Sequence, residues 1–265
     1  MARSSTNGWR HQLKHRAFCV PRKGFGLDDC LDAVADNTAS GRFAIADGAS
    51  EGGPESGLWA RLLVKDFVRA DGVTDPWPET LPPLQARWRT EVGRGAAPTE
   101  VPWFVAEHAR ARDNDAFATF LGLAMQAAPG PNTPWRWQAL AVGDTCLFQV
   151  RSGVLIERFP IDEVTKFNTT PWLVGSHTTP EEVRRDRGRI LDGENWPNDR
   201  IWMMTDALAE WFLLRWEVDE KPWEELEPFL NPMVVPESFD DWIADLRRLG
   251  QIRNDDVTLA AVWLE

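Results

Sequence analysis

Four aspartates stand where strand-length apolar runs begin or end. Arg42-Phe43-Ala44-Ile45-Ala46 runs into Asp47-Gly48, residues 137–142 run into Gly143-Asp144, residues 201–204 run into Thr205-Asp206, and Asp255-Asp256 lead into Val257–Leu264. A buried strand that stops at an acidic residue followed by glycine delivers a carboxylate to the edge of a packed core, with a turn behind it. Any one Asp-Gly after a strand reads as a turn; four such placements in one chain point to a metal site. Hard cations such as Mg²⁺ and Mn²⁺ take oxygen ligands in near-octahedral geometry and keep several waters. Clustered carboxylates repel by roughly 4 kcal/mol per close pair at an effective dielectric of about 20, and divalent ions relieve that repulsion. Glycine after Asp47 also lets the backbone come close, so that the Gly48 carbonyl can serve as a ligand.

The elements that must hold these carboxylates follow from the apolar periodicity. Strands are predicted over 16–20, 32–35 and Arg42–Ala46, the last two forming a hairpin. Ser56 is a plausible N-cap for a helix carrying Leu58, Trp59, Leu62, Leu63, Phe67 and Val68 and closed by Gly72. Further helices are expected over 84–92 and 103–112. From residue 116 the pattern becomes strands, over 116–125, 135–142, 145–151 and 154–159, the last two links being of hairpin length. Residues 161–176 are irregular, and Thr179-Pro180-Glu181-Glu182 has the composition of a helix start. A strand over 201–204 and helices over 207–216, 222–230 and 238–249 precede the final strand, Val257–Leu264. This is antiparallel meander grammar rather than alternating βαβ, and it predicts one α+β domain over 16–265 behind a loose lead-in, 1–15.

Composition narrows the function classes. The chain has 265 residues and a formal charge of −12, which argues against partners such as nucleic acid or anionic membranes. Nothing approaches the ~18 consecutive apolar residues of a transmembrane helix, and the basic N-terminus lacks the apolar core of a secretory signal. Cys19, Cys30 and Cys146 are odd in number and show no CxxC spacing, so they read as reduced thiols of a cytoplasmic protein. Fifteen Trp beside no Tyr read as packing residues in an unusual compositional background.

In order and spacing, five segments resemble the metal-dependent protein phosphatases of type 2C. They are Leu31-Asp32-Ala33; the strand into Asp47-Gly48; Ala116-Phe117-Ala118-Thr119; Val142-Gly143-Asp144-Thr145; and the C-terminal pair Thr205-Asp206-Ala207 with Asp255-Asp256-Val257-Thr258. The resemblance implies two packed antiparallel β-sheets flanked by helices, with two Mg²⁺ or Mn²⁺ ions in a cleft at one end. It implies that Asp47 bridges both ions with help from the Gly48 carbonyl, that Asp206 and Asp255 hold one of them, and that Asp32 acts through water at the other. Asp144, with Asp206, matches a third, weaker position in bacterial members. Asp32 and Asp47 are then the catalytic pair: a bridging water attacks phosphorus in line, with no Ser or Cys nucleophile.

Four departures from the family pattern accompany this. Leu31 stands where the family has an acidic residue, and Asp29 competes with Asp32 as first ligand, although the hairpin-like spacing to Asp47 favours Asp32. The family's upstream phosphate-binding arginine is absent; Lys23 is the nearest candidate for substrate phosphate, beside the plainer reading of a solvated loop lysine. The loop 49–53 lacks the family's histidine, and His108 and His177 read as structural or surface residues. Asp256 replaces an Asn, and reads as a group supporting the ligands. The expected activity is hydrolysis of phosphoserine or phosphothreonine in a protein. The alternatives are a catalytically weak or inactive member serving as a regulatory or scaffolding module, and a small-molecule phosphoesterase.

Overall fold

Strict alternation along apolar strands builds two five-stranded antiparallel sheets in the computed structural model, which describes residues 12–49, 55–69, 77–95, 116–130, 132–167 and 171–265. The first sheet has the order β1 (Leu13–Val20), β12 (Val257–Leu264), β11 (Arg200–Met204), β7 (Cys146–Arg151), β8 (Val154–Phe159). The second runs β10 (Gly188–Asn195), β6 (Trp135–Val142), β5 (Phe120–Gln126), β3 (Arg42–Ala46), β2 (Ala33–Asn37). A two-residue ladder joins β4 (Phe117–Ala118) to β9 (Val174–Gly175).

Period-two alternation decides which core each side chain enters. In β3, Phe43 and Ile45 face the other sheet, while Ala44 and Ala46 face the helices α1 (Ser56–Arg69) and α2 (Leu81–Gly95). In β11, Ile201 and Met203 face the second sheet, while Trp202 and Met204 meet α3 (Asp206–Glu217) and α4 (Glu237–Arg248). Three apolar layers result, one between the sheets and one under each helix pair, giving helix–sheet–sheet–helix packing. The tryptophans do packing work: Trp59, Trp202 and Trp211 are fully buried, each worth roughly 2–3 kcal/mol of transfer free energy.

Strands Arg42–Ala46, Trp135–Val142, Val154–Phe159 and Val257–Leu264 have the spans expected from sequence. Thr179 caps the turn Pro180–Glu182, its hydroxyl accepting the Glu182 N–H. Two expectations are corrected. β1 begins at Leu13, paired with Leu264, so residues 13–15 belong to the sheet rather than to a lead-in. β10 was not expected; it is a polar edge strand paired to β6 alone. Residues 1–11, the expected helix over 103–112 with His108, and the loop from residue 50 lie outside the described residues. No helix among the described residues is long and apolar enough to cross a membrane.

Candidate metal centre

β3 ends one residue before Asp47, and the chain is fixed there on both sides. The Asp47 carbonyl accepts the Thr119 N–H (2.8 Å), the Gly48 N–H donates to Leu31 O (3.2 Å), and the Ala49 N–H donates to Phe117 O (2.9 Å). Position 48 has no room for a side chain. A Cβ there would lie 2.8 Å from the Ser56 carbonyl carbon and 2.9 Å from Leu31 O, both backbone atoms. Glycine is required here by close approach.

Asp32 enters from the segment before β2 and is buried, at 4% exposure. Its Oδ2 accepts the Thr205 hydroxyl (2.9 Å), a bond that crosses from one sheet to the other. Thr205 is itself fixed by β12, its Oγ1 accepting the Thr258 N–H (2.8 Å) and its N–H donating to Thr258 O (3.1 Å). Asp32 Oδ1 has no hydrogen-bond partner of good geometry. Asp29, the competing residue, is exposed and closes its own turn, accepting the Gly26 N–H (3.1 Å). The structure therefore places Asp32, not Asp29, against the other carboxylates.

Burial holds the Asp32 carboxyl well above the usual range, assisted by the nearby Cys19. Asp47 is raised well above it too, first by burial among protein atoms and then by the negative charges of Asp32, Asp255 and Asp144. The charges of Asp32, Asp255 and Asp144 thus all reach Asp47. Asp144 follows β6 through Gly143, whose φ of +95° favours glycine. Asp144 is buried with Oδ1 unpartnered, and its carboxyl is pushed up to about 6 by burial, against the lowering effect of its own backbone and of Arg253.

The other half of the site is built differently. Asp206 is the first residue of α3, where the helix N-terminus favours a carboxylate, and its Oδ1 accepts the Ala207 N–H (2.6 Å). Asp255 lies in the turn before β12, its Oδ1 accepting the Asp256 N–H (2.9 Å). Asp206 is mostly buried and Asp255 more open, at 17% and 39% side-chain exposure, and both face Arg253. The guanidinium is ion-paired with Asp206 Oδ2, with Glu210 Oε2 (3.0 Å) and with Asp255 Oδ2 (3.6 Å). Among the described residues no three acidic, His or Cys side chains converge as a ready metal cage. Arg253 is thus shared by Asp206 and Asp255.

Asp256 holds the site together without facing it. Buried at 2% exposure, it accepts the Arg22 N–H on Oδ1 (2.7 Å) and the Leu31 N–H on Oδ2 (2.9 Å), fixing the backbone that delivers Asp32. Lys23 is exposed, and its N–H donates to Asn254 Oδ1 (2.8 Å), which ties its loop to the turn carrying Asp255. His177 is exposed and meets the Phe117 ring edge-on, at 5.4 Å between centroids. The Cys19 and Cys30 sulfurs are 3.1 Å apart, and all three cysteines are free. Two surface clefts, of about 450 and 500 Å³, open at the opposite end of the β5–β6 ladder, around Gln126 and Arg136, away from all of these carboxylates.

Solved structures share this architecture across almost the whole chain. PppA, described as a key regulatory component of T6SS in Pseudomonas aeruginosa, aligns over 97% of this chain and 99% of its own at a TM-score of 0.53 and 16% identity. The catalytic domain of the serine/threonine protein phosphatase PstP, in complex with two manganese ions, aligns over 95% and 98% at 0.56 and 14% identity. The Mycobacterium tuberculosis phosphatase PstP/Ppp aligns over 96% and 99% at 0.54 and 19% identity. The chain has the fold of the type 2C phosphatases. No protein-family model matches the sequence, and no curated protein matches it. Within the type 2C-like fold, the residues that reasoning from sequence missed are Thr205, which orients Asp32 across the sheets, and Arg253. The signal for Arg253 was its place two residues before Asp255.

Proposed function

We propose that this chain is a divalent-metal-dependent phosphatase acting on phosphoserine or phosphothreonine in proteins. The observation that carries the reading is the unpartnered Oδ1 of buried Asp32, beside Asp47, whose carboxyl also feels the charges of Asp144 and Asp255. An all-oxygen donor set of this kind fits Mg²⁺ or Mn²⁺. Asp32, Asp47, the Gly48 carbonyl, Asp206 and Asp255 would hold two ions, with Asp144 and Asp206 at a third, weaker position. The ions supply an acidified water and charge neutralisation at phosphoryl oxygens. The chain's own residues do the rest. Thr205 fixes Asp32 through Oδ2, leaving Oδ1 to accept a proton from water in the cleft. Lys23, on the loop tied to Asn254, would meet substrate phosphate at the rim. Three free thiols suit work in a reducing cytoplasm.

One observation favours a second reading, a weakly active or inactive regulatory module: Arg253 already pairs with Asp206 and Asp255. One assay separates the two. Purified protein with Mn²⁺ is given p-nitrophenyl phosphate and a phosphothreonine peptide, beside Asp47→Asn. Metal-dependent turnover that falls at least ~10³-fold in the variant is expected; folded wild-type protein that turns over neither substrate defeats the enzyme reading.

A further inference from the structure

Arg253 sits where the second half of the candidate centre would take a cation. Its guanidinium meets three carboxylates from two elements: Asp206 and Glu210, one turn apart on α3, and Asp255 on the turn before β12. Among the described residues no cation is ion-paired with Asp32, whose Oδ2 accepts the Thr205 hydroxyl. The side chain is 38% exposed, so it can leave for solvent without opening a core. Ion pairs this exposed are weak enough to exchange.

We infer that Arg253 is a built-in cation that competes with the divalent ion at the Asp206–Asp255 position and makes the two metal positions unequal. This rests on the metal-dependent reading above. A guanidinium and a divalent ion cannot share the same carboxylate oxygens, so binding there requires the arginine to swing outward. The Asp32–Asp47 position, which has no such competitor, fills first. Occupancy of the second position then depends on metal concentration across the range in which ion and arginine exchange. The metal supply would set activity through one side chain, with no movement of the sheets.

Calorimetric titration of Mn²⁺ into metal-free protein tests this without reference to turnover. Wild type is expected to show a tight step and a weaker one. Arg253→Gln is expected to tighten the weaker step by about tenfold or more, because a full positive charge is removed from beside the ion. Arg253→Lys, which keeps the charge, is expected to stay near wild type, and Arg253→Met gives the same charge loss with a different packing volume. In a chelator the neutral variants should melt at lower temperature than wild type and gain more on adding Mn²⁺. Equal affinities in wild type and both neutral variants overturn the inference and leave the metal-dependent reading standing. So does a lysine variant that binds as tightly as the neutral ones, since charge is then not the cause. Absence of Mn²⁺ binding in every folded variant overturns both.

Discussion

The two halves of the candidate centre use the same residue type under opposite electrostatics. Asp32 and Asp47 come from the second sheet, Asp32 buried and held by a threonine hydroxyl; burial pushes both carboxyls upward, and the charges of Asp32, Asp255 and Asp144 add to the shift of Asp47. Asp206 and Asp255 come from the first sheet and share a guanidinium. The first half gathers carboxyls with no ion-paired cation among the described residues, and the second brings its own cation. On the proposed metal-dependent reading, affinity for a cation in the second half would be set by what Arg253 does.

The largest expected effect crosses the boundary. Asp256 belongs in sequence to the second half, yet it accepts two N–H groups from the segment that delivers Asp32. Asp256→Ala orphans both donors, at a cost of about 4 kcal/mol, from roughly 1–3 kcal/mol for each unsatisfied group. Urea unfolding measures it. Asp256→Asn keeps one acceptor oxygen and should lose about half as much. A loss below about 1 kcal/mol in the alanine variant would show that water replaces the carboxylate and that the halves are not mechanically joined.

Next comes a pH effect confined to metal-free protein. Burial pushes the Asp144 carboxyl up to about 6, above the ordinary value of about 4 of an exposed aspartate, so the native state binds its proton more tightly than the unfolded chain does. Stability in a chelator is therefore fully present below about pH 4 and falls as pH rises to about 6, by about 3 kcal/mol at 1.36 kcal/mol per unit. Asp32 and Asp47 are shifted in the same direction and add to the slope. Asp144→Asn should remove its share, seen as a shallower pH dependence of the melting temperature. An unchanged slope would mean that the charge of Asp144 is already met inside the fold.

Legibility in the sequence followed the same division. Runs with clean alternation, such as Arg42–Ala46 and Val257–Leu264, gave their spans because one pattern served two apolar layers. Gly188–Asn195 escaped because an edge strand with one neighbour keeps polar residues on its open side. Asp47, Asp144, Asp206 and Asp255 stood out as carboxylates at strand ends. Thr205 did not, since its role depends on Asp32 lying opposite it across the sheets. Arg253 was hidden because Glu210, one of its partners, lies 43 residues away along the chain, and only the packing of α3 beside the final turn brings them together.

The smallest effect tests whether the first half is as rigid as the comparison requires. In Gly48→Ala the new methyl meets Ser56 and Leu31 backbone atoms at 2.8 and 2.9 Å, with no flexible side chain to move aside. Overpacking of this kind costs about 2 kcal/mol. The direction of relief matters more than the size. Leu31 precedes Asp32 and is held by Asp256, so the strain that moves Leu31 also moves Asp32 relative to Thr205. The tight Mn²⁺ step should weaken, while the weaker step, set at Asp206 and Asp255 by Arg253, stays where it was. Equal weakening of both steps would show that the cleft behaves as one unit, and the contrast between its halves would then be one of charge only.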